Sequence, residues 1–205
     1  MDSFIKKSWL GVPIVLLLIA LTFHSNISAQ QSHSLKGKKA LMIIASQNFR
    51  DEELEKPREI LRGKGIKVTI ASSSLNIAKG MLGLRIKPDI LIENAQVEDY
   101  DAIIFVGGTG ATEYFNNSIA HQIVQKAYKQ NKVLAAICIA PVTLANAGVL
   151  SGKKATVWKS ERKTLEAKGA IFTGNSVEVD GKIITANGPQ AAEQFGKAIV
   201  EALRK

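Results

Sequence analysis

The chain has 205 residues, enough for one domain with a substantial core, and its 22% charged, 46% hydrophobic composition excludes a disordered or fibrous protein. A formal net charge of +9 favours anionic surfaces in general, but the lysines are scattered, with no run of five and no interleaved aromatics, so no nucleic-acid partner is expected. One cysteine cannot form an intrachain disulfide, and a lone thiol therefore needs another explanation.

Residues 1–29 differ in kind from the rest. Lys6 and Lys7 precede an apolar run from Trp9 to Phe23, which a polar stretch from His24 to Gln31 follows. As a helix that run spans roughly 22 Å, short of the roughly 30 Å hydrocarbon core of a bilayer. The pattern reads as a secretory signal cleaved after Ala29, which makes the protein exported, periplasmic or secreted, and in contact with membrane only through this segment. An uncleaved anchor is the alternative, because bulky Ile27 occupies the −3 position. Residues 30–37 read as a flexible tail, and residues 38–205 as one domain.

Along that domain, short aliphatic runs recur at Ala40–Ala45, Val68–Ala71, Ala102–Val106, Val133–Ile137 and Ile183–Ala186. Each is nearly continuous in apolar character, as expected of strands buried on both faces of a parallel sheet. Helical segments alternate with them. Asp51–Arg62 starts at a capping residue and ends at Gly63 and Gly65, and Ile119–Gln130 follows Ser118, a second cap. Pro141–Ala147 has proline near its first position and Gly148 beyond its end. Ser160–Lys168 stops at Gly169, and Pro189–Leu203 sets Ala192, Phe195, Ile199 and Ala202 on one stripe. Stretch Ser72–Ala95 is irregular and has room for a small hairpin, and Val177–Ala186 reads as two strands turning at Asp180–Gly181. Strands alternating with helices predict a doubly wound α/β fold, a mostly parallel sheet between helices.

Ligands of such sheets bind beyond the carboxyl ends of the strands. Three unusual segments leave strand ends there: Ser46–Glu53, Gly107–Gly110 and Cys138–Pro141. Cys138 stands where a strand turns abruptly into a helix, as in a nucleophile elbow, and helix N-terminal amides favour a thiolate and lower its pKa. The plainer alternative is a buried cysteine packing as a small hydrophobe. Gly107 and Gly108 let the backbone approach a ligand or aim an amide at an oxyanion, or they form an ordinary turn. Asp51, Glu52 and Glu53 suit the first turn of a helix, and one of them pointing over the sheet edge could exchange a proton with Cys138. Histidines are scarce: beyond residue 29 there are only His33, in the tail, and His121, expected on a solvated helix face. A cysteine hydrolase normally needs a base beside its thiol. No His, Cys or Asp grouping has metal-ligand spacing, and no cofactor is called for.

These motifs resemble the PfpI/DJ-1 superfamily, which is similar in fold to flavodoxin and to class I glutamine amidotransferases. The resemblance runs from about Lys38 to Leu203. It rests on Phe49-Arg50-Asp51-Glu52-Glu53-Leu54 with Pro57, on Asp99-Tyr100-Asp101 leading into Val106-Gly107-Gly108, and on Ala135-Ala136-Ile137-Cys138-Ile139-Ala140-Pro141. Gly174-Asn175-Ser176-Val177 and Gly188-Pro189 complete it. The resemblance implies that Cys138 is the nucleophile, that Glu53 hydrogen-bonds it (Glu52 if the register slips by one), and that the amides of Gly108 and Ile139 form an oxyanion hole. Gly107 and Trp158 then line the substrate pocket. Two departures matter. Ile139 stands where protease-type members carry histidine, and Trp158 where deglycase- and glyoxalase-type members often carry one. The resemblance thus implies an enzyme of glyoxalase/deglycase type acting on a small electrophile or a modified protein. A redox-responsive, chaperone-like protein with an oxidisable Cys138 is the alternative, and a cysteine peptidase or amidase a third. It also implies a homo-oligomer.

Overall fold

A computed structural model describes residues 35–205, together with Met1. Residues 2–34, and with them the expected signal segment beyond Met1, most of the expected tail and His33, lie outside the described residues. The strands run β1 (Lys39–Ile43), β2 (Gln47–Phe49), β3 (Lys67–Ser72), β4 (Ala78–Gly80), β5 (Arg85–Ile86), β6 (Ile90–Leu91), β7 (Ala102–Phe105), β8 (Val133–Ile137), β9 (Lys154–Ala155), β10 (Ile171–Phe172), β11 (Val177–Asp180) and β12 (Ile183–Ala186). The helices are α1 (Asp51–Gly63), α2 (Ser118–Lys129), α3 (Pro141–Asn146), α4 (Arg162–Ala167) and α5 (Ala192–Arg204).

Seven strands form one sheet in the order β11-β12-β8-β7-β1-β3-β6, and within it only β11 runs antiparallel to its neighbour. Its strands are apolar throughout because both faces are covered. Leu41 and Ile43 point into one core with Phe105, Leu134 and α2, whereas Ala40, Met42 and Ile44 point into the other with Leu54, Phe195 and Ile199. The predicted stripe of α5 is fully used: Ala192, Phe195, Ile199 and Ala202 are all buried. Helices α1 and α5 cross closely at Gly196, where a Cβ would stand 2.9 Å from Pro57 Cα.

The doubly wound α/β fold is thus as expected, but several local details differ. Helix α1 is capped by Arg50 without a side-chain bond, and Asp51 is its first residue rather than its cap. Helix α2 is capped by Asn117, whose Oδ1 accepts from Ala120 N–H at 2.9 Å, and Ser118 is already helical. The Ser160–Lys168 segment splits into a 3-10 turn (Lys159–Glu161) and the short α4. The irregular stretch after β3 holds the hairpin β4–β5, which joins β2 in a separate three-stranded sheet. The same stretch also supplies β6, an edge strand too short to give a periodic signal.

After β1 the chain crosses to β3 on one side and later returns to β7 on the other. This reversal opens a crevice at the carboxyl ends of β1 and β7, the place where doubly wound sheets bind ligands. The segments after β1, β7, β8 and β12 all reach that edge.

Candidate active site

Cys138 follows the last residue of β8 with φ of 65°, a left-handed conformation that costs a non-glycine residue on the order of 1–3 kcal/mol. Two backbone bonds hold it there. Its N–H donates to Ala186 O on β12 at 2.9 Å, and its carbonyl accepts from Trp158 N–H at 2.8 Å. The chain then turns immediately into α3, opened by Pro141. The expected strand-to-helix elbow is present, and it leaves the thiol partly exposed.

Glu53 comes from the first turn of α1 and is fully buried. Between it and the cysteine lies Gly107. A Cβ there would collide with Cys138 Cβ and Glu53 Oε2 and come within 2.7 Å of Ile137 O, so no larger residue fits between the thiol and the carboxyl. Gly108 has φ of 98°, and a Cβ on it would strike the backbone of Asn48, Phe49 and Arg50. Arg50 N–H donates to Gly107 O at 2.9 Å, tying the loop after β1 to the loop after β7. Glu53 faces Cys138, whereas Glu52 turns away into a two-point pair with Arg50, with Nε–Oε2 at 2.7 Å and Nη2–Oε1 at 3.0 Å. That hydrogen bond holds the Glu52 carboxyl below its ordinary pKa.

The electrostatics of the pair follow from burial. Cys138 and the Gly107 amide approach Glu53 closely enough to act on its charge, but neither carboxyl oxygen has a partner of full hydrogen-bond geometry. Desolvation dominates and pushes Glu53 up to about 8, so it holds its proton at neutral pH. Cys138 is pushed up to about 12, by burial first and by the Glu53 charge second, while the amides of Gly108 and Ile139 pull the other way. The expectation that helix N-terminal amides lower the thiol's pKa is therefore corrected: the amides that reach the sulfur are those of Gly108 and Ile139, neither within the six-residue α3, and burial outweighs them. While Glu53 keeps its proton its charge is absent, and only burial opposes those two amides. The two groups titrate as one unit.

A pocket of about 180 Å³ opens over the thiol, lined by Arg50, Glu53, Met81, Gly108, Thr109, Cys138, Ile139, Trp158 and Pro189. Trp158, still 42% exposed, leans over Gly188, where a Cβ would meet its ring at 2.8 Å. Among the described residues no histidine lines this pocket. His121 lies elsewhere and is half-buried rather than solvated, with its Nε2 2.8 Å from Phe115 O. Among the described residues no three His, Cys, Asp or Glu side chains could together hold a metal ion.

Sequence reasoning missed Arg50, Met81, Thr109 and Pro189 as pocket walls. It also missed the role of Asp51, whose Oδ2 and Oδ1 accept from Leu82 N–H at 2.9 Å and Leu84 N–H at 2.7 Å. Asp51 is buried and pins the β4–β5 hairpin, and with it Met81, to the start of α1. A carboxylate at a helix start carries no sequence mark that its partners lie thirty residues on. The glycine at position 80 is the one available signal, because a Cβ there would overlap the Asp51 carboxyl.

A doubly wound sheet presenting a lone cysteine on a left-handed elbow, over a buried carboxyl and between two amides, defines an α/β protein of the cysteine-elbow class. The profile of the DJ-1/PfpI family matches residues 38–202, and the chain belongs to that family. It is 40% identical over 197 residues to an uncharacterized protein of Methanocaldococcus jannaschii, covering 94% of this chain and 96% of the other. It is 27% identical to deglycase PfpI of Pyrococcus furiosus, covering 80% of this chain and 99% of that one. Among solved structures, the ThiJ/PfpI domain protein of Brachyspira murdochii superposes with a TM-score of 0.80 at 28% identity, over 82% of this chain and 98% of that chain. The family's members include proteins named deglycase and glutathione-independent glyoxalase.

Proposed function

We propose that this protein is an exported, cysteine-dependent enzyme of the glyoxalase/deglycase type, acting on small reactive aldehydes or on groups that such aldehydes have modified. The observation that carries this reading is the uncharged Cys138–Glu53 pair beneath a small pocket, with the amides of Gly108 and Ile139 directed at the sulfur.

A thiol next to a neutral carboxylic acid is suited to adding to a carbonyl without building up charge. Cys138 Sγ forms a bond to the aldehyde carbon as the carbonyl π electrons move to oxygen. The thiol proton passes to one Glu53 oxygen while the other gives its proton to the new alkoxide, so Glu53 ends as it began. The Gly108 and Ile139 amides hold the oxyanion while it lasts. The product is a hemithioacetal, and for an α-oxoaldehyde Glu53 is also placed to move the proton between the two oxygenated carbons. That shift leaves a 2-hydroxyacyl thioester; water adds to its carbonyl, the C–S bond breaks, and the hydroxyacid departs as Cys138 regains its proton.

The pocket's volume suits a molecule of methylglyoxal's size. The protein is further proposed to work as a homo-oligomer. Turnover of methylglyoxal by the purified protein, beside Cys138→Ser, tests the reading. Lactate formation that survives the substitution would defeat it.

The redox alternative draws on the same acid proton, because a protonated Glu53 would donate to a sulfinate on Cys138. Peroxide treatment followed by mass measurement separates the two, since a redox-responsive protein would gain two oxygens and show no aldehyde turnover beforehand. Peptidase chemistry has less support, because among the described residues no imidazole lines the thiol's pocket.

A further inference from the structure

Trp158 lines two cavities, the cysteine pocket and a larger groove of about 580 Å³ that also takes in Thr156, Lys159, Arg162, Ser176, Asn187 and Gln190. The two are neighbours along the chain as well: Pro189 lines the first and Gln190 the second. The groove's character differs from that of the pocket. Among the described residues its walls carry two cations and four hydrogen-bonding side chains, and no acidic residue lines it. Arg162 is held on two sides, with its guanidinium 5.0 Å over the Phe172 ring and its Nε donating to Glu166 Oε1 at 2.9 Å. This leaves the outer nitrogens of the fork available. Thr156, fully buried, has a hydroxyl with no partner among the described residues, although its N–H donates to Thr185 Oγ1 at 2.9 Å. A buried hydroxyl left unmatched beside a groove is costly unless a ligand or water meets it. Charge at the cysteine pocket points the same way. Glu53 is neutral there and Glu52 is spent on Arg50, so no free carboxylate repels an anion.

We propose that this groove is the second half of the substrate site and takes the anionic tail, a carboxylate or a phosphate, of an aldehyde whose carbonyl lies at Cys138. The inference rests on the functional reading above for the carbonyl end only. The tail contacts Lys159 and Arg162 by charge, and Asn187 and Gln190 by hydrogen bonds, with Trp158 next to both ends. Neutral methylglyoxal then fills only the smaller half.

The test measures binding separately from turnover. The full chain carrying Cys138→Ser is titrated by calorimetry at low salt with succinic semialdehyde against butyraldehyde, and with glyceraldehyde 3-phosphate against glyceraldehyde. The members of each pair differ chiefly in the anionic group. Charge-assisted contacts of this kind should make at least one anionic member bind about tenfold or more tightly than its neutral partner, with the gap narrowing as salt is added. Which pair shows the gap distinguishes carboxylate from phosphate. Replacing Lys159→Gln and Arg162→Gln together should bring the ratio close to one. A ratio near one in both pairs before those replacements overturns the proposal, even if the double variant fails to fold, and so does a ratio that a folded double variant leaves intact. An anion preference without methylglyoxal turnover by the unsubstituted protein would keep the groove and discard the functional reading. Turnover without the preference would do the reverse.

Discussion

Glu53→Gln isolates what it costs the fold to bury one carboxyl. In the unfolded chain this group titrates near 4.5; in the folded protein, at about 8. A raised acid contributes stability that is fully present below the unfolded value and is lost as pH rises through the folded one, because the unfolded chain ionises first. The whole interval corresponds to about 5 kcal/mol, of which roughly 3–4 kcal/mol falls between pH 5 and pH 8. Glutamine keeps the shape and cannot ionise, so the variant should escape this loss. Urea unfolding of parent and variant, followed by circular dichroism at pH 5, 6, 7 and 8, gives the stability difference at each pH. Other carboxylates titrate alike in both proteins and cancel. At pH 5 the variant should be equal to the parent or slightly weaker, since a buried amide also lacks full partners, and by pH 8 it should have gained roughly 3–4 kcal/mol on it. A difference that stays flat across this range would mean that Glu53 is ionised in the folded protein at neutral pH, and the uncharged-pair mechanism would fall with it.

The same variant should alkylate with iodoacetamide much as the parent does at pH 6–7, where Glu53 is neutral, and pull ahead above pH 8, where the parent's Glu53 charge holds the thiol up. Superimposable rate profiles to pH 10 would contradict that coupling. Gly107→Ala should abolish aldehyde turnover and destabilise the protein by about 1–3 kcal/mol, the order expected for overpacking between Cys138 and Glu53, as read by thermal melting. Asp51→Ala strands the Leu82 and Leu84 amides and should cost about 1–3 kcal/mol, with faster hydrogen exchange confined to residues 80–86. Intact mass of the protein from its native host should show a chain starting near Gln30 or Gln31; a full-length, membrane-embedded product would refute cleavage.

What could be read from the sequence and what could not divide along a physical line. Buried parallel strands announce themselves because both faces must be apolar, so the five aliphatic runs and their membership of a layered, mostly parallel sheet were legible, whereas their order in it was not. Cys138 was legible because a strand, a lone thiol and a proline-opened helix are adjacent in sequence. Choosing Glu53 over Glu52 needed the resemblance, since two neighbouring acids on a helix differ only in the direction they face. The pocket's other walls, Arg50, Met81 and Pro189, are brought together from three distant loops, and no local pattern encodes that meeting. The thiol's acidity was misjudged for a related reason. The helix end is visible in the sequence, but the desolvation that outweighs it depends on everything packed around the site.

Both ends of the Cys138 peptide are tied by main-chain bonds, one to β12 and one to Trp158. Neither tie involves sulfur. The contorted backbone is therefore imposed by the surrounding architecture and would persist with another small side chain in that place. The fold behaves as a socket, in which the reactive atom can be exchanged while the amides, the acid and the walls stay where they are. New chemistry at this elbow is one codon away, whereas a new elbow would require rebuilding the sheet.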